Sequence, residues 1–261
     1  MNVKISAVVV TYNNEKKIEG CLESLEGIAD EIVVVDSLST DGTRKIATQF
    51  TDKIIKHSST DYAFLKNLGQ KASANEWILS LEPYERLSTR LRLELLKLRS
   101  QSVEVDGFYI PRRSFYIYRW IRHSGWYPDY RVRLYQKEKG SWKKEKNRIF
   151  LDFSGRAKKL KSPVEHLGFS SISEQVIHIN RIAERRAQEL YARKKKTRLD
   201  HLFFWPAAKF LYVYLLKLGF LDGFAGLVIS TLSAYSVFLK FAKLKEIWKK
   251  GEKIEFMPGC R

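Results

Sequence analysis

An acidic side chain stands at the point where a run of apolar residues stops. The run Ile32–Val35 is followed by Asp36 and then by a turn-forming stretch of Ser, Thr, Asp and Gly that reaches Thr43. A short run rich in Val and Ile predicts a strand that is buried on both faces of a parallel sheet. Because ligands of open α/β sheets bind at the carboxyl ends of the strands, Asp36 is placed to accept a hydrogen bond from a ligand. The alternative is that Asp36 only caps the turn.

The elements upstream of Asp36 predict a βαβ unit. Residues Ile5–Val10 form a second apolar run, which ends in the polar stretch Thr11–Asn14. A helix should follow, with Asn13 or Asn14 capping its first turn. Four apolar residues recur there at helical spacing: Ile18, Cys21, Leu22 and Leu25. The two strands are expected to be parallel neighbours. No G-x-G-x-x-G follows the first strand, which argues against a dinucleotide phosphate loop.

Five sequence blocks, in order along the chain, carry a family resemblance. Val8–Asn14, Asp30–Thr43 and Trp77–Glu85 resemble family 2 glycosyltransferases with a GT-A nucleotide-sugar domain. Gly125–Tyr135 and Gly219–Gly223 resemble the subgroup that adds sugars to lipopolysaccharide core, including its β-1,4-glucosyltransferases. The resemblance implies an α/β fold, in which a GT-A (Rossmann-like) domain with a mostly parallel central sheet precedes a C-terminal amphipathic helical region.

The resemblance also assigns donor-binding residues. It places contacts with the nucleotide base at four residues: Thr11, Tyr12, Asn13 and Asp36. Asp36 can accept from an imide N–H, and Tyr12 offers a flat face for stacking. Lys66 and Asn67 match a position that touches the nucleotide or its phosphates, although an ordinary lysine on a helix surface is the alternative for Lys66. The implied donor is a UDP-sugar.

The block that binds a divalent cation in the family departs here from the family pattern. Relatives end this strand in Asp-Ala-Asp-Glu, whereas this chain has Glu, Pro, Tyr and Glu at 82–85. Tyr84 therefore stands at the metal-ligand position, and a neutral phenol is a poor ligand for a hard cation. Glu82 and Glu85 remain candidate ligands for Mg²⁺ or Mn²⁺, and Glu82 is also expected to contact substrate. Leu38, where relatives usually carry Gly, is a second departure. Metal dependence stays open, with three arginines as alternative partners of the diphosphate: Arg86, Arg131 and Arg133.

Asp129 is the predicted catalytic base. An inverting transfer needs a carboxylate that removes the acceptor proton as the hydroxyl attacks the anomeric carbon. The Trp126 ring is expected to stack against a sugar ring, and Arg131 and Arg133 are expected to contact substrate. The alternative is a Pro-Asp turn between strands. Five basic residues upstream are candidates for holding acceptor phosphates: Arg112, Arg113, Arg119, Arg122 and His123.

A second motif of the subgroup is eroded. A His-Glu pair usually follows the Arg-Leu block, but residues 145–149 contain no histidine. His166 and His178 lie nearby in sequence, and each alone is expected to be structural or on the surface. Together with Tyr84, this gap raises the alternative of a degenerate family member that binds lipid or a partner enzyme without catalysis.

Charge is distributed unevenly along the 261 residues. Residues 1–100 hold 14 basic and 14 acidic side chains, so the net charge of +18 lies entirely beyond residue 100. This imbalance predicts an anionic partner, namely nucleic acid, an anionic membrane surface or a phosphorylated acceptor, with a plain solvated surface as the alternative. Cys21 and Cys260 predict neither a disulfide nor a zinc site and favour a reducing compartment. Because a strand begins almost at residue 1, no signal peptide is expected.

The C-terminal region favours the membrane as that partner. A basic run at Arg193–Lys196 precedes long apolar stretches that begin at His201. Lysines close these stretches at five positions: Lys240, Lys243, Lys245, Lys249 and Lys250. Aromatic and aliphatic faces flanked by lysines are typical of helices that lie in the membrane interface. A transmembrane pass at Gly223–Leu239 and ordinary packed helices are the alternatives. Nucleic acid is not expected, because the aromatics cluster with aliphatics instead of alternating with Lys and Arg.

These observations predict an organisation in three parts. Residues 1–100 form the nucleotide-sugar-binding part of the GT-A domain, 101–165 its acceptor and catalytic part, and 166–261 a basic and aromatic membrane-associating helical region. The predicted function is inverting transfer of a hexose, with glucose expected, from a UDP-sugar to a lipopolysaccharide-core or similar lipid-linked acceptor. The protein is expected to be cytoplasmic and peripheral on the inner face of the cell membrane. A basic nucleic-acid-binding protein is the remaining rival, and only the charge supports it.

Overall fold

The computed structural model describes residues 3–101, 103–145 and 148–255, so Cys260 lies outside the described residues. The chain forms two compact units: Met1–Ser114 with Pro128–Leu167, and Phe115–Tyr127 with Gly168–Arg261. The predicted acceptor part, residues 101–165, is therefore divided, because Phe115–Tyr127 groups with the C-terminal helices.

The secondary structure alternates strands and helices in the first unit and becomes helical in the second. The strands are β1 Ile5–Thr11, β2 Glu31–Asp36, β3 Ile54–Lys56, β4 Trp77–Leu81, β5 Glu85–Leu87, β6 Gly107–Tyr116, β7 Arg119–Trp120, β8 Asp129–Gln136, β9 Gly140–Glu145, β10 Arg148–Phe153, β11 Ala157–Lys159 and β12 Val164–Leu167. The α-helices are α1 Glu15–Glu23, α2 Thr43–Ala47, α3 Tyr62–Ala72, α4 Thr89–Arg99, α5 Ile172–Ala192, α6 Leu199–Leu202, α7 Phe204–Leu211 and α8 Gly223–Glu255. A π-helical turn at Tyr212–Leu216 and a 3₁₀ turn at Gly219–Asp222 join α7 to α8.

Four parallel strands, β1 to β4, form one part of the sheet in the first unit. β1 lies between β2 and β4, and β3 flanks β2, all in parallel, with Thr11 opposite Asp36. β8 then pairs antiparallel with β4, and β6 antiparallel with β8. The strand order is β3-β2-β1-β4-β8-β6-β12-β5, while β9 and β10 form a separate hairpin. The predicted α/β class and the parallel βαβ unit are confirmed.

Helices cover both faces of these parallel strands, which is why their sequences are continuously apolar. All of β1 is buried, as are the last four residues of β2. α3 packs on one face through Leu65. Gly69 allows this close approach, because a Cβ atom there would lie 2.5 Å from Val8 Cγ1. The approach sets the position of Lys66, which lies one turn earlier on α3.

The start of α1 differs from the expectation in its capping. Asn14 is the N-cap residue, but within the described chain its side chain donates to Thr11 Oγ1 and to the Tyr12 carbonyl oxygen instead of accepting from the helix. The carboxylate of Asp41, in the loop after β2, accepts from the Glu15 N–H at 3.2 Å. A carboxylate is favoured at a helix N-terminus, so the cap comes from a loop 26 residues away.

The second unit is built on its long C-terminal helix. α5 and α7 pack against α8. A small core joins α8 and the π-helical turn to the end of β6 and the segment that follows it: Tyr116, Ile121, Val213, Ala225 and Ile229. Among the helices that the structure describes, Gly219–Lys250 alone is long and apolar enough to cross a membrane, and 28% of its apolar stretch is buried inside the protein. Much of this apolar stretch is therefore exposed.

Candidate active site

Asp36 lies fully buried at the carboxyl end of β2, as the sequence predicts. Its Oδ2 accepts a hydrogen bond from the Ser39 N–H at 3.0 Å, and Arg44 Nε lies 3.7 Å from the same oxygen. Its Oδ1 is buried without a hydrogen-bond partner among the described residues. Because a buried acceptor without a partner is destabilising, Oδ1 is suited to an N–H group of a ligand. Capping of the turn accounts for Oδ2 only.

The loop after β1 supplies the other residues predicted to bind the base. Tyr12 is 57% exposed, so a face of its ring is open for stacking. The Asn13 N–H donates to Ser39 Oγ at 3.0 Å, and Asn13 Oδ1 accepts from the Thr40 N–H at 2.8 Å. Asn13 therefore ties the loop after β1 to the loop after β2. Leu38, where relatives usually carry Gly, has φ 58°, a left-handed conformation that strains an L-residue with a side chain.

A cavity of about 740 Å³ in the first unit brings together five of the predicted site residues. These are Lys66, Glu82, Asp129, Arg131 and Arg133. The wall also contains Tyr62 of α3, Trp142 of β9 and all of β10. Thr11, Tyr12, Asn13, Asp36 and Asn67 are not among its lining residues. The cavity is large enough for a small ligand and is lined by charges of both signs.

Lys66 is buried, so the helix-surface alternative for this residue is wrong. The side chain is 2% exposed, and its Nζ lies 3.1 Å from Glu82 Oε1 and 4.4 Å from the centre of the Trp142 ring. Asn67 brackets the backbone of Trp142: its Nδ2 donates to the carbonyl oxygen at 2.8 Å, and its Oδ1 accepts from the N–H at 2.9 Å. Asn67 therefore positions the aromatic ring on which Lys66 rests.

The two candidate metal ligands are both held by cations of the chain. The buried Glu85 accepts from Arg133 Nη1 and Nη2 at 2.7 and 2.6 Å, and its Oε2 also accepts from the Glu82 N–H at 3.0 Å. Glu82 pairs with Lys66 and accepts a hydrogen bond from the Tyr62 hydroxyl. Burial alone would raise the pKa of Glu82, but Lys66, the Tyr62 hydrogen bond and Arg133 outweigh burial and lower that pKa.

Tyr84 occupies the position at which the family binds a cation, and its surroundings favour a neutral phenol. Its ring packs edge-on against His166 with the centroids 5.3 Å apart. Burial, together with Glu82 and Glu85, raises the pKa of Tyr84. The described residues contain no group of three or more His, Cys, Asp or Glu side chains that could hold a metal ion. This donor set does not fit a hard divalent cation, because its carboxylates already face ammonium and guanidinium groups.

His166 is a structural residue beside this tyrosine. Burial, followed by the charges of Arg112 and Arg133, lowers the pKa of His166 to about 3, so the imidazole is neutral near pH 7. Its Nδ1 is buried and lacks a hydrogen-bond partner within the described part of the chain. The expectation of a structural or surface histidine is therefore resolved in favour of burial.

Asp129 begins β8 and lines the cavity together with Arg131. Its Oδ2 lies 2.8 Å from Arg112 Nη2 and 3.1 Å from Arg131 Nη2. The side chain is 31% exposed, so an acceptor hydroxyl can reach it. Trp126 belongs to the second unit, where its ring packs edge-on against Tyr116 at 5.5 Å. That packing, not an open sugar platform, is the environment of the Trp126 ring in the structure.

The remaining predicted arginines separate into different environments. Arg112, expected to hold an acceptor phosphate, instead orients Asp129. Arg86 and Arg113 both bind Glu165, at 2.9 and 3.0 Å. Trp142 is a cavity residue that sequence reasoning missed. The available signal was a single aromatic residue within the basic stretch that forms β9.

The first unit thus carries a buried acid at the end of a parallel strand, an exposed aromatic ring on the loop after the neighbouring strand, and a charged cavity. In open α/β sheets the carboxyl ends of the strands are where ligands bind. Residues 6–82 match the family model of glycosyl transferase family 2. A lipopolysaccharide core biosynthesis glycosyltransferase, LpsC of Rhizobium meliloti, is 27% identical over 92% of this chain and 91% of its own length. An uncharacterized glycosyltransferase of Rickettsia felis is 28% identical, covering 96% and 93%.

Two solved structures share the fold. The crystal structure of S. aureus TarS 1-349 aligns with a TM-score of 0.50 and 16% identity, covering 95% of this chain and 92% of that chain. The mannosyltransferase PcManGT from Pyrobaculum calidifontis, in complex with GDP-Man and Mn²⁺, aligns with a TM-score of 0.54 and 15% identity, covering 96% and 88%. The GT-A expectation is confirmed, and the protein is a glycosyltransferase that uses a nucleotide-sugar donor.

Proposed function

We propose that this enzyme transfers a hexose, with glucose the expected sugar, from a UDP-sugar to a lipopolysaccharide-core or similar lipid-linked acceptor, with inversion at the anomeric carbon. The observation that carries the donor assignment is the buried, unpartnered Oδ1 of Asp36 together with the exposed ring of Tyr12. A uracil base offers an imide N–H to that oxygen and a ring face to Tyr12. Similarity to LpsC over 92% of the chain supports the acceptor class.

The diphosphate is proposed to meet cations of the chain in place of a metal ion. Lys66 and Arg131 both line the cavity, and the Arg131 side chain is 55% exposed. A guanidinium group can bind phosphate oxygens through paired N–H donors. Glu82 and Glu85 are already paired with Lys66 and Arg133, so neither carboxylate is available as a free metal ligand. We therefore expect donor binding to persist without Mg²⁺ or Mn²⁺.

Asp129 is proposed to act as the general base of a single displacement. The oxygen of the acceptor hydroxyl bonds to the anomeric carbon while the bond from that carbon to UDP breaks. Asp129 takes the hydroxyl proton, and UDP leaves with the bonding electron pair. Arg112 and Arg131 hold the Asp129 carboxylate in one orientation. Because Arg131 also lines the cavity, its guanidinium group is suited to stabilise the negative charge that develops on the departing diphosphate.

The second unit is proposed to rest on the anionic cytoplasmic face of a membrane. Between residues 199 and 224, seven large apolar side chains are more than half exposed: Leu199, Phe203, Phe204, Leu211, Leu216, Leu221 and Phe224. Basic residues flank them at Arg193–Lys196 and from Lys240 onward. An exposed apolar surface between basic segments fits the membrane interface. A membrane-spanning Gly219–Lys250 is the alternative.

Calorimetric titration with UDP tests the donor site. We expect micromolar binding in EDTA and no more than about a twofold change on adding Mn²⁺. Asp36→Asn should weaken UDP by about tenfold or more, because the amide cannot accept from both Ser39 and the base. Asp52→Asn, which changes an exposed acid of the same unit, is the matched control. A strong gain in affinity with Mn²⁺ would contradict the cation-free site.

Transfer assays with UDP-glucose and purified lipopolysaccharide-core acceptors test the base. Asp129→Asn should leave UDP affinity unchanged and reduce turnover by roughly 10²–10⁴-fold. Asp152→Asn is the control, since Asp152 lines the same cavity but pairs with Lys143. Near wild-type turnover of the Asp129→Asn enzyme would remove Asp129 from its role. If the wild-type protein transfers no sugar while membranes bind it, the degenerate alternative gains.

Sedimentation with vesicles tests the membrane surface. We expect the protein to pellet with vesicles that contain phosphatidylglycerol and to remain soluble with phosphatidylcholine alone. Replacing Phe203 and Phe204 by Ser should release it, because both rings are exposed on the apolar surface. A protein that stays with vesicles through alkaline carbonate extraction would instead favour the spanning alternative.

A further inference from the structure

A second cavity, of about 580 Å³, lies within the second unit. Two arginines, a histidine and three aromatic rings line it: Arg119, Arg122, His123, Phe115, Tyr118 and Trp120. The rest of its wall is Leu221 and Asp222, from the block Gly219–Gly223. That block resembles the lipopolysaccharide-core subgroup, yet neither donor binding nor catalysis gives it a role.

Asp222 holds the basic loop, residues 119–124, through hydrogen bonds. Its side chain is fully buried, and its carboxylate accepts from the N–H groups of Arg122 and His123, at 3.1 and 3.0 Å, and from Ser124 Oγ at 2.9 Å. Its carbonyl oxygen accepts from Arg119 Nη1 at 2.9 Å. The Asp222 carboxylate therefore holds the backbone of the loop, while the side chains of Arg122 and His123 are left to line the cavity.

The backbone of the block is specialised for this contact. Leu218 has φ 54° and Gly223 has φ 59°, so the turn Gly219–Asp222 has a residue with positive φ on each side. At Gly226 a Cβ atom would lie 1.8 Å from the carbonyl oxygen of Gly219, so only glycine fits there. Strained backbone that is held in place by packing is characteristic of functional sites.

The chemistry of the cavity suits a phosphate group on a sugar. Two guanidinium groups and one carboxylate belong to its lining residues, which leaves an excess of positive charge. In the part of the chain that the structure describes, neither Arg119 nor Arg122 forms a salt bridge with an acidic side chain. Arginine matches the geometry of phosphate oxygens, and aromatic rings offer apolar faces to a sugar.

We propose that this cavity, organised by Asp222 and carrying Arg119, Arg122 and His123, binds a phosphate group carried on a saccharide. This site rests on the proposed function in one respect, because a phosphorylated core sugar of the acceptor is its expected source. A phosphate of a membrane lipid headgroup shares the chemistry and is the other source. Asp222 is a positioning residue, since it acts through the loop.

Binding of glucose 6-phosphate, measured by calorimetry with glucose and UDP as separate ligands, tests the site. Arg122→Gln, an exposed position that should not affect folding, is expected to weaken glucose 6-phosphate by about tenfold or more and to leave UDP affinity unchanged. Asp222→Asn should have a similar effect through the loop. Arg90→Gln, which removes the same charge from an exposed helix position in the first unit, should change neither ligand. In the transfer assay Arg122→Gln should raise the acceptor KM while kcat and the donor KM stay constant.

The sources are separated by vesicle binding. If Arg122→Gln weakens glucose 6-phosphate but not the binding of phosphatidylglycerol vesicles, the saccharide phosphate is the ligand. If it weakens only the vesicles, the lipid headgroup is. Equal behaviour of Arg122→Gln and Arg90→Gln toward both probes would overturn the proposal. Failure of the wild-type protein to bind UDP would count against the donor assignment alone and would leave this test intact.

Discussion

Glu85→Gln offers a direct test of the claim that Glu85 is a structural partner of Arg133 and not a metal ligand. The wild-type carboxylate takes two hydrogen bonds from Arg133, at 2.6 and 2.7 Å, and one from the Glu82 N–H. Both side chains of the pair are nearly inaccessible, with Glu85 at 0% and Arg133 at 7% exposed. The amide keeps one acceptor, loses the other and leaves the guanidinium charge buried without compensation.

The expected loss of stability is large because of that buried charge. Breaking one partner of a buried ion pair costs about 3–5 kcal/mol, whereas replacing both partners by apolar residues of similar volume is often close to neutral. Glu85→Gln should therefore lower the free energy of unfolding by about 3 kcal/mol or more. The double variant Glu85→Leu with Arg133→Met should lose much less than the sum of its two single variants. Asp152→Asn breaks an exposed pair and should leave stability nearly unchanged.

Urea unfolding of these five variants and the wild-type protein measures the differences in stability, and UDP titration with and without Mn²⁺ on the same samples measures the effect of the metal on UDP affinity. A loss below about 1 kcal/mol for Glu85→Gln, accompanied by a fall in Mn²⁺-dependent affinity, would refute the reasoning. That result would mean that the Glu85 carboxylate binds a divalent cation. Additive losses in the double variant would show that Glu85 and Arg133 act separately.

Two further predictions concern backbone strain and pH. Leu38→Gly should stabilise the protein by roughly 0.5–1 kcal/mol, because relief of the left-handed strain at φ 58° exceeds the added entropy of glycine in the unfolded chain. Urea unfolding measures this difference. A destabilised variant would show that the exposed Leu38 side chain contributes packing. The folded pKa of His166, about 3, lies below its unfolded value of 6.5, so the unfolded chain binds the extra proton between these values and stability is lost as pH falls through that window. The stability difference between the wild-type protein and His166→Gln should therefore shift against the wild-type protein as pH falls from 6.5 toward 3, and a difference independent of pH would contradict the buried neutral imidazole.

Local patterns in the sequence were sufficient to predict β1 and β2 and the position of Asp36 at the end of β2. The apolar runs before Thr11 and Asp36 have the composition of strands buried on both faces, and that property is set by neighbours along the chain. The position of Asp36 at the end of its strand follows directly from the run. The proposal that the C-terminal helices face a membrane likewise began from composition, because apolar stretches and flanking lysines are visible in the sequence without a fold.

Only tertiary structure decided how the charges pair. Glu85 and Arg133 are 48 residues apart, and Asp222 and the Arg122 N–H are 100 apart. A charged residue can satisfy itself with water or with any opposite charge that packing brings near, so its type and position in the sequence leave its partner undetermined. For the same reason the sequence identified Glu82, Glu85 and Asp129 as candidate site acids, while the fold assigned Lys66, Arg133 and Arg112 as their partners.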